Sequence, residues 1–125
     1  MGTGRRLIRP LIRELLSAAR GKRRCYRVEG YSMAPSLIPG DVVWTEIGLP
    51  GLPTPGDVVV VRDPQERRRI LVKRIRSRGA ETFSVGSDDP TCGRDSRHFG
   101  PLRAGHLIGR ALFAWSPRAG LRRLS

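Results

Sequence analysis

Two side chains in this sequence, a serine at position 32 and a lysine at position 73, are of types that together can break a peptide bond. Ser32 lies in the stretch Gly-Tyr-Ser-Met-Ala-Pro (30–35), where an extended run changes into a proline-containing turn. Such a turn can hold a hydroxyl out toward a ligand. Serine is also common in turns as a simple cap, so Ser32 alone does not indicate catalysis.

Lys73 is informative because arginine outnumbers lysine 22 to 2 in this chain. It lies in the apolar run 70–75, whose alternation predicts a strand with Leu71, Lys73 and Ile75 on one face. Burial disfavours the ammonium form, and lysine, unlike arginine, can then lose its proton near neutral pH. The alternative is an edge strand from which the lysine side chain reaches solvent.

A turn serine paired with a semi-buried lysine is sufficient for nucleophilic catalysis. The neutral amine of Lys73 takes the proton of Ser32, the alkoxide attacks a carbonyl, and the lysine later protonates the leaving amine. A Ser/His/Asp triad would need His98 or His106, and the dyad needs neither.

The elements that must position these residues are predicted to be β-strands. Short β-branched runs, separated by glycine and proline, occur at residues 26–29, 42–46, 57–62, 70–75, 82–85 and 106–115. The segment 86–105 has no periodicity, and a loop of that length in a compact domain is usually functional. The sequence therefore predicts one mainly β catalytic domain over residues 25–115.

The two ends of the chain are basic. Residues 1–24 predict a basic amphipathic helix or arm that packs on the domain or contacts an anionic membrane through residues 5–24, and residues 116–125 predict a frayed basic tail. No run of 18 apolar residues occurs, so no transmembrane segment is predicted. We therefore expect a cytoplasmic protein, with peripheral membrane contact as an option.

The excess of basic residues leaves a second class of function open. The chain carries 24 Lys and Arg against 11 Asp and Glu, a net charge of +13. A non-catalytic nucleic-acid-binding β module would use a patch formed by Arg67, Arg68, Arg69, Arg74, Arg76 and Arg78. Aromatic side chains are scarce near that patch, so we expect no specific nucleic-acid partner.

No cofactor or metal is predicted. The two cysteines, Cys25 and Cys92, are 67 positions apart and lack the close spacing of zinc ligands, even with the two histidines included. Two reduced thiols are the simplest interpretation.

Several stretches, taken in order, resemble the motif boxes of the signal peptidase I family. They are Ser-Met-Ala-Pro-Ser-Leu-Ile-Pro-Gly-Asp (32–41), Pro-Gly-Asp-Val-Val-Val (55–60), Val-Lys-Arg-Ile (72–75), Asp-Asp-Pro (88–90) with Asp-Ser-Arg-His-Phe-Gly-Pro (95–101), and Gly-Arg-Ala (109–111). Any one of these boxes is weak evidence for the family, but all of them in the family's order and spacing are specific evidence.

This resemblance implies a single, mainly β catalytic domain built from coiled sheets, which the N-terminal amphipathic helix predicted above would precede. It implies Ser32 as the nucleophile, Lys73 as the general base, the backbone N–H of Ser32 in an oxyanion hole, and an extended protein precursor bound as an added strand. Residues that would support the site are Gly30, Met33, Asp95, Ser96 and Arg97. Asp95 and Arg97 match the acidic and basic pair that braces the site.

The sequence departs from the family pattern at several positions. Gly30 stands where some members carry a hydroxyl that serves as a second oxyanion donor. Gly93 stands where many members have a serine that orients the lysine, and Thr91 or a water would have to take that role. Ser87 and Asp89 replace the Gly and Asn of the usual Gly-Asp-Asn.

The substrate is less well defined than the chemistry. A short chain without a predicted anchor is most similar to the nickel superoxide dismutase maturation proteases, which implies removal of a propeptide from a dismutase precursor. The alternative is a membrane-associated signal peptidase I acting on secreted precursors, and the stretch 109–113 also resembles the organellar inner-membrane peptidases. Self-cleaving repressors share the dyad but lack the Asp-Ser-Arg box, and 24 leading residues cannot form their DNA-binding domain.

Overall fold

The structure is a computed structural model that describes residues 22–124. The helix predicted over residues 1–24, and the membrane contact predicted for residues 5–24, lie almost entirely outside the described residues. Within residues 22–124, no helix is long and apolar enough to cross a membrane.

Nearly all of the regular structure is one antiparallel sheet of eight strands. The strands are β1 (Arg23–Arg27), β2 (Val42–Ile47), β3 (Val58–Arg62), β4 (Ile70–Arg78), β5 (Thr82–Gly86), β6 (Leu102–Arg103), β7 (Leu107–Ser116) and β8 (Gly120–Arg123). A one-turn helix, α1 (Ser96–Phe99), and a 3-10 turn (Ala104–His106) lie between β5 and β7. The strand order is β1-β2-β7-β3-β4-β5-β6, with β8 beside β7. The predicted mainly β fold is confirmed.

The long strand β7 holds the sheet together. It pairs with β2 along one edge, and with β3 and then β8 along the other edge. A Cβ on Gly109 would collide with the backbone of Glu46, so the close approach of β7 to β2 requires glycine there. Register shifts at 44/45 and 60/61 mark β-bulges, which bend strands and allow a sheet to curl.

The curled sheet has apolar side chains packed on both faces. The first core cluster contains Val28, Met33, Leu37, Val43, Val58, Ala111 and Ala114. The second core cluster contains Val59, Val61, Ile75, Phe83, Val85 and Leu102. In β3, Val58 enters the first cluster and Val59 and Val61 enter the second, and Val60 is also fully buried. Burial on both faces explains why the sequence of β3 is an unbroken apolar run rather than an alternating one.

The structure differs from the predicted elements in the bounds of some strands and in a few short elements. β1 begins at Arg23, β4 continues to Arg78, and the short elements α1 and β6 were not predicted. The prediction of a frayed tail is wrong for residues 120–123, which form β8. Arg122 Nη2 donates to Asp41 Oδ2 at 2.6 Å, so a buried carboxylate binds this strand.

Candidate active site

The loop that carries Ser32 follows β1 and is fixed at both ends. The N–H of Val28 donates to the carbonyl of Asp41 at 2.8 Å, which closes the loop at its base. The side chains of Met33 and Leu37 are buried in the first core cluster, and the N–H of Leu37 donates to the carbonyl of Met33. Ser32 is half-buried beside this anchored turn, so its position is set by packing on both sides.

Lys73 is one of the most buried side chains of the described residues. It is 2% exposed, and its Nζ donates to Ser87 Oγ at 2.9 Å. Ile75 belongs to the second core cluster and Leu71 packs against it, whereas Val72 packs against the first. The predicted alternation is thus confirmed, and the alternative in which the lysine reaches solvent is wrong.

Ser32 and Lys73 come together at Gly93. A Cβ placed on Gly93 would lie 2.9 Å from Lys73 Nζ, 2.9 Å from Ser32 Cβ and 3.5 Å from Ser32 Oγ. The amine and the hydroxyl therefore border the same small space, although they come from distant parts of the sequence. Gly93 has a φ of +76°, a backbone conformation that favours glycine.

The surroundings of Lys73 favour its neutral form. Burial lowers the pKa of Lys73, the nearby carboxylate of Asp95 raises it, and Arg97 lowers it again, with a net result below the ordinary value. A neutral amine has the lone pair that a general base requires.

Asp95 links three parts of the site. Its carboxylate caps α1, accepts from Arg97 Nε at 3.0 Å and Nη2 at 3.1 Å, and accepts from the N–H of Ser87 at 3.3 Å. Burial alone would raise the pKa of Asp95, but the hydrogen bonds from Arg97 and from backbone N–H groups lower it to about 2. Asp95 is therefore a buried anion whose charge is balanced mainly by Arg97.

Of the other predicted support residues, Ser96 and Met33 contribute through structure. Ser96 Oγ accepts from the N–H of Val85 at 2.9 Å, which joins α1 to β5. Met33 is 1% exposed and packs in the core. Gly30, with a φ of +77°, lies exposed at the edge of the hollow beside Ser32 and offers no side-chain donor.

Ser87 lies in the site, although the sequence marked it only as a departure from the family's Gly-Asp-Asn and did not predict its contact with Lys73. The structure gives it the contact with Lys73 that the family resemblance would place at residue 93. Thr91, suggested for that role, is exposed, and its hydroxyl donates to Asp89 Oδ1 at 2.6 Å. The suggestion of Thr91 is therefore wrong. The sequence signal that could have indicated this contact is a hydroxyl residue at position 87 combined with a glycine at position 93.

An ion pair beside the site joins four of the motif stretches. Arg74 Nε and Nη2 donate to the two carboxylate oxygens of Asp88 at 2.8 Å each. Arg74 also donates to the carbonyl of Gly56 at 2.8 Å and to Ser36 Oγ at 3.4 Å. Such a bidentate pair holds β4 against the segment that follows β5.

Two adjoining hollows, of about 360 and 130 Å³, open beside the Ser32–Lys73 pair. Both are bordered by four common residues, namely Glu29, Ser32, Leu71 and Lys73. A larger cavity of about 500 Å³ lies behind Ser87 and contains neither Ser32 nor Lys73. A substrate in either of the two smaller hollows would therefore lie beside both reactive groups.

Both histidines cap short helical turns. His98 Nδ1 accepts from the N–H of Asp95 at 3.1 Å, and His106 Nδ1 accepts from the N–H of Arg103 at 3.2 Å. Neither histidine shares a hydrogen bond with Ser32 in the described structure, so the geometry does not favour a triad.

Among residues 22–124, no group of three or more His, Cys, Asp and Glu side chains is placed so that it could bind a metal ion. Cys25 is buried, Cys92 is partly buried, and the two are not joined in a disulfide.

The arginines of the hypothetical phosphate-facing patch are mostly engaged within the protein. Arg74 and Arg76 both contact Asp88, Arg69 contacts Asp63, and Arg78 donates to the carbonyl of Leu52. Guanidinium groups held by internal acceptors are less available to nucleic acid, so the binding-module alternative is not favoured.

Comparison with known proteins agrees with this geometry. Residues 15–87 match the family described as signal peptidase, peptidase S26. The chain is also similar to the mitochondrial ATP-independent inner membrane protease subunit 1a of Arabidopsis thaliana, with 34% identity in a match that covers 72% of this chain and 69% of that protein. From these matches, together with the mainly β fold, we conclude that the chain belongs to the signal peptidase family, peptidase S26.

Proposed function

We propose that this chain is a serine endopeptidase in which Ser32 is the nucleophile and Lys73 the general base, and that it removes an N-terminal propeptide or signal-like peptide from a protein precursor. The observation that carries the proposal is the nearly complete burial of Lys73 Nζ in the space that it shares with Ser32 around Gly93. A buried amine with a lowered pKa next to a hydroxyl is the arrangement that serine activation requires.

The reaction proceeds through an acyl-enzyme. Neutral Lys73 takes the proton of Ser32 Oγ as the oxygen bonds to the carbonyl carbon of the substrate, which gives a tetrahedral oxyanion and a lysine ammonium. The ammonium then protonates the leaving amine as the C–N bond breaks. Water, deprotonated by the same lysine, attacks the resulting ester, and the proton returns to Ser32 as the acyl group leaves.

The developing oxyanion needs preorganised donors. The carbonyl of Ser32 already accepts from the N–H of Asp89 at 2.8 Å, which fixes the peptide plane of the nucleophile. The backbone N–H of Ser32 has no acceptor among residues 22–124, so it remains available to an oxyanion. One such donor typically contributes about 10²–10³-fold to kcat.

The substrate has room to bind as an extended strand. Within residues 22–124, β1 pairs only with β2, and β5 pairs with β4 only from Arg74 onward, so residues 70–73 keep one edge unpaired by the described strands. The smaller hollow lies between these segments and is bordered by residues 27–29 and 70–73. A peptide that pairs with a free edge passes directly beside Ser32 and Lys73.

Two precursor classes follow as candidates. The resemblance to the nickel superoxide dismutase maturation proteases makes the propeptide of that dismutase precursor the first substrate to test. The similarity to the Arabidopsis protein, named as an inner membrane protease subunit, favours a second candidate, the leader peptide of a precursor delivered to a membrane.

The test is to incubate the purified protein with each precursor and to read any new N-terminus by mass spectrometry. We expect one new terminus with wild type, and none with Ser32→Ala or Lys73→Arg, because arginine cannot act as a base. His106→Ala is the control and should cleave as wild type. Cleavage that persists in Ser32→Ala would refute the proposal, and the identity of the precursor that is cut decides between the two substrate classes.

A further inference from the structure

A buried hydroxyl contacts the amine of Lys73 from the side of β5. Ser87 follows directly after Gly86, the last residue of β5, and is only 4% exposed. Its Oγ lies 2.9 Å from Lys73 Nζ, and its backbone N–H donates to Asp95 Oδ2 at 3.3 Å. Strand β5 and the Asp95 carboxylate therefore fix the backbone of Ser87, so its hydroxyl is held in position to accept a hydrogen bond from the amine.

A neutral amine acts as a base only if its lone pair points at the proton to be removed. The Cε–Nζ bond of lysine rotates freely in water, so the direction of the lone pair must be set by hydrogen bonds of the two N–H groups. Ser87 Oγ is the hydrogen-bond acceptor that the structure gives to Nζ among residues 22–124. With one N–H directed at Ser87, the remaining positions of Nζ are left for Ser32 on the Gly93 side.

Gly93 completes this arrangement because it has no side chain. Any Cβ there would lie 2.9 Å from both Lys73 Nζ and Ser32 Cβ, inside the space in which the two groups meet. A hydroxyl for the lysine therefore has to come from another residue, and Ser87, at the end of β5, supplies it.

We propose that Ser87 is the positioning residue of the general base: its hydroxyl accepts an N–H of Lys73 and thereby turns the lone pair of the amine toward Ser32. This inference rests on the catalytic roles proposed above for Ser32 and Lys73. It gives a role to a serine that stands where the family pattern has a glycine, and it assigns the orienting hydroxyl to position 87 in place of 93.

The experiment compares four variants: Ser87→Ala, Ser87→Thr, Ser84→Ala and Ser32→Ala. Ser84 is the matched control, because it lies on β5 between two residues of the second core cluster and so faces away from that cluster. The probe is a quenched fluorescent peptide, extended and with alanine before the scissile bond. Four quantities are measured: kcat, KM, the pH dependence of kcat/KM, and the unfolding temperature.

We expect Ser87→Ala to lower kcat about 10- to 100-fold, while KM changes less than about threefold. The loss in kcat is smaller than the full contribution of a general base, because Lys73 is still present in the variant. The acid limb of its pH profile should move to lower pH, because a hydroxyl acceptor stabilises the ammonium more than the amine. Ser87→Thr should restore most of kcat, and Ser84→Ala should match wild type.

Two results would overturn the role of Ser87. One is a Ser87→Ala enzyme whose kcat and pH profile equal those of wild type while Ser32→Ala is inactive, which leaves the proposed function intact. The other is a Ser87→Ala enzyme that loses activity in proportion to a lowered unfolding temperature, while the acid limb of its pH profile stays where it is in wild type. Activity in Ser32→Ala would instead contradict the proposed function itself. If Ser87→Thr does not fold, the role of Ser87 is decided by whether the acid limb of the Ser87→Ala pH profile moves to lower pH.

Discussion

The carbonyl oxygen of Ser32 accepts a hydrogen bond from the backbone N–H of Asp89 at 2.8 Å. This bond joins the loop after β1 to the segment after β5, which also carries Ser87, Gly93 and Asp95. The segment that contacts the base therefore also holds the serine. Changes in residues 87–95 should thus act on both reactive groups, which makes this segment the place to test the site without altering Ser32 or Lys73.

Gly93→Ala should inactivate the enzyme while leaving the sheet folded. The added Cβ would lie 2.9 Å from Lys73 Nζ and from Ser32 Cβ, and the φ of +76° is itself unfavourable for alanine. We expect kcat to fall at least about 100-fold, because displacement of reacting groups by about 1 Å has effects of that order. Kinetics on the alanine-containing fluorescent peptide, together with circular dichroism, measure both quantities.

Gly105→Ala is the control for that change, since a Cβ on Gly105 meets nothing within 4 Å. It should keep wild-type kcat. A Gly93→Ala enzyme as active as Gly105→Ala would show that the amine and hydroxyl do not meet at Gly93.

Asp95→Asn should destabilise the protein more at neutral pH than at low pH. The folded-state pKa of Asp95 is about 2, below its ordinary value of 3.8, so the charged form stabilises the fold above 3.8 and this stabilisation is lost as pH falls toward 2. The shift corresponds to about 2 kcal/mol. Asparagine keeps one oxygen that can cap the helix, but it removes the negative charge and the second acceptor oxygen, which receives Arg97 Nη2 and the N–H of Ser87. Urea unfolding should give a larger difference near pH 7 than near pH 2.5, where part of the stabilisation is already lost; an equal difference at both would contradict the assignment.

Lys73→Met should make the folded protein more stable while removing activity. Burial lowers the pKa of Lys73 from 10.5, so holding the ammonium in the fold costs free energy below the folded pKa, and this cost disappears as pH rises toward 10.5. We expect the variant to gain about 1 kcal/mol in unfolding free energy near pH 6, as is common when active-site groups are replaced. The gain should shrink near pH 10. A variant that is less stable than wild type at both pH values would argue that Lys73 stabilises the fold as an ordinary cation.

Arg122→Ala should destabilise the protein by about 2 kcal/mol, because it leaves the buried carboxylate of Asp41 without its arginine partner. Arg122 Nη2 lies 2.6 Å from Asp41 Oδ2, and Asp41 is 1% exposed. Thermal unfolding measures the effect. Arg118→Ala, in the exposed turn before β8, is the matched control and should change stability by less than about 0.5 kcal/mol. Equal unfolding temperatures for the two variants would show that β8 does not hold the loop that ends at Asp41.

Much of the sheet was predictable because its signals are local. The apolar runs of β2, β3 and β7, bounded by glycine and proline, indicated strands whose bounds the structure moves by one or two residues. The alternation around Lys73 also indicated which face it would occupy. β8 was not predictable in this way, because its four residues have little apolar character of their own. The strand pairs with β7, and a long-range contact of Arg122 with Asp41 holds it in place.

The site was predictable only in part for the same reason. Ser32 and Lys73 stand out by residue type and by motif, whereas the contact between Lys73 and Ser87 depends on how the end of β5 approaches β4. No pattern within residues 86–105 reports that approach, because the path of this segment is set by α1, Asp95 and Arg97 rather than by periodicity.

The protonation state of Lys73 can be measured without any substrate, because the sequence has only one other lysine. In a Lys22→Arg variant labelled with ¹³C at lysine Cε, the single NMR signal belongs to Lys73 and can be followed against pH. We predict a titration midpoint clearly below the ordinary 10.5, with the amine largely neutral at the pH of maximal cleavage. A midpoint at 10.5 would contradict the assignment of Lys73 as the base that activates Ser32.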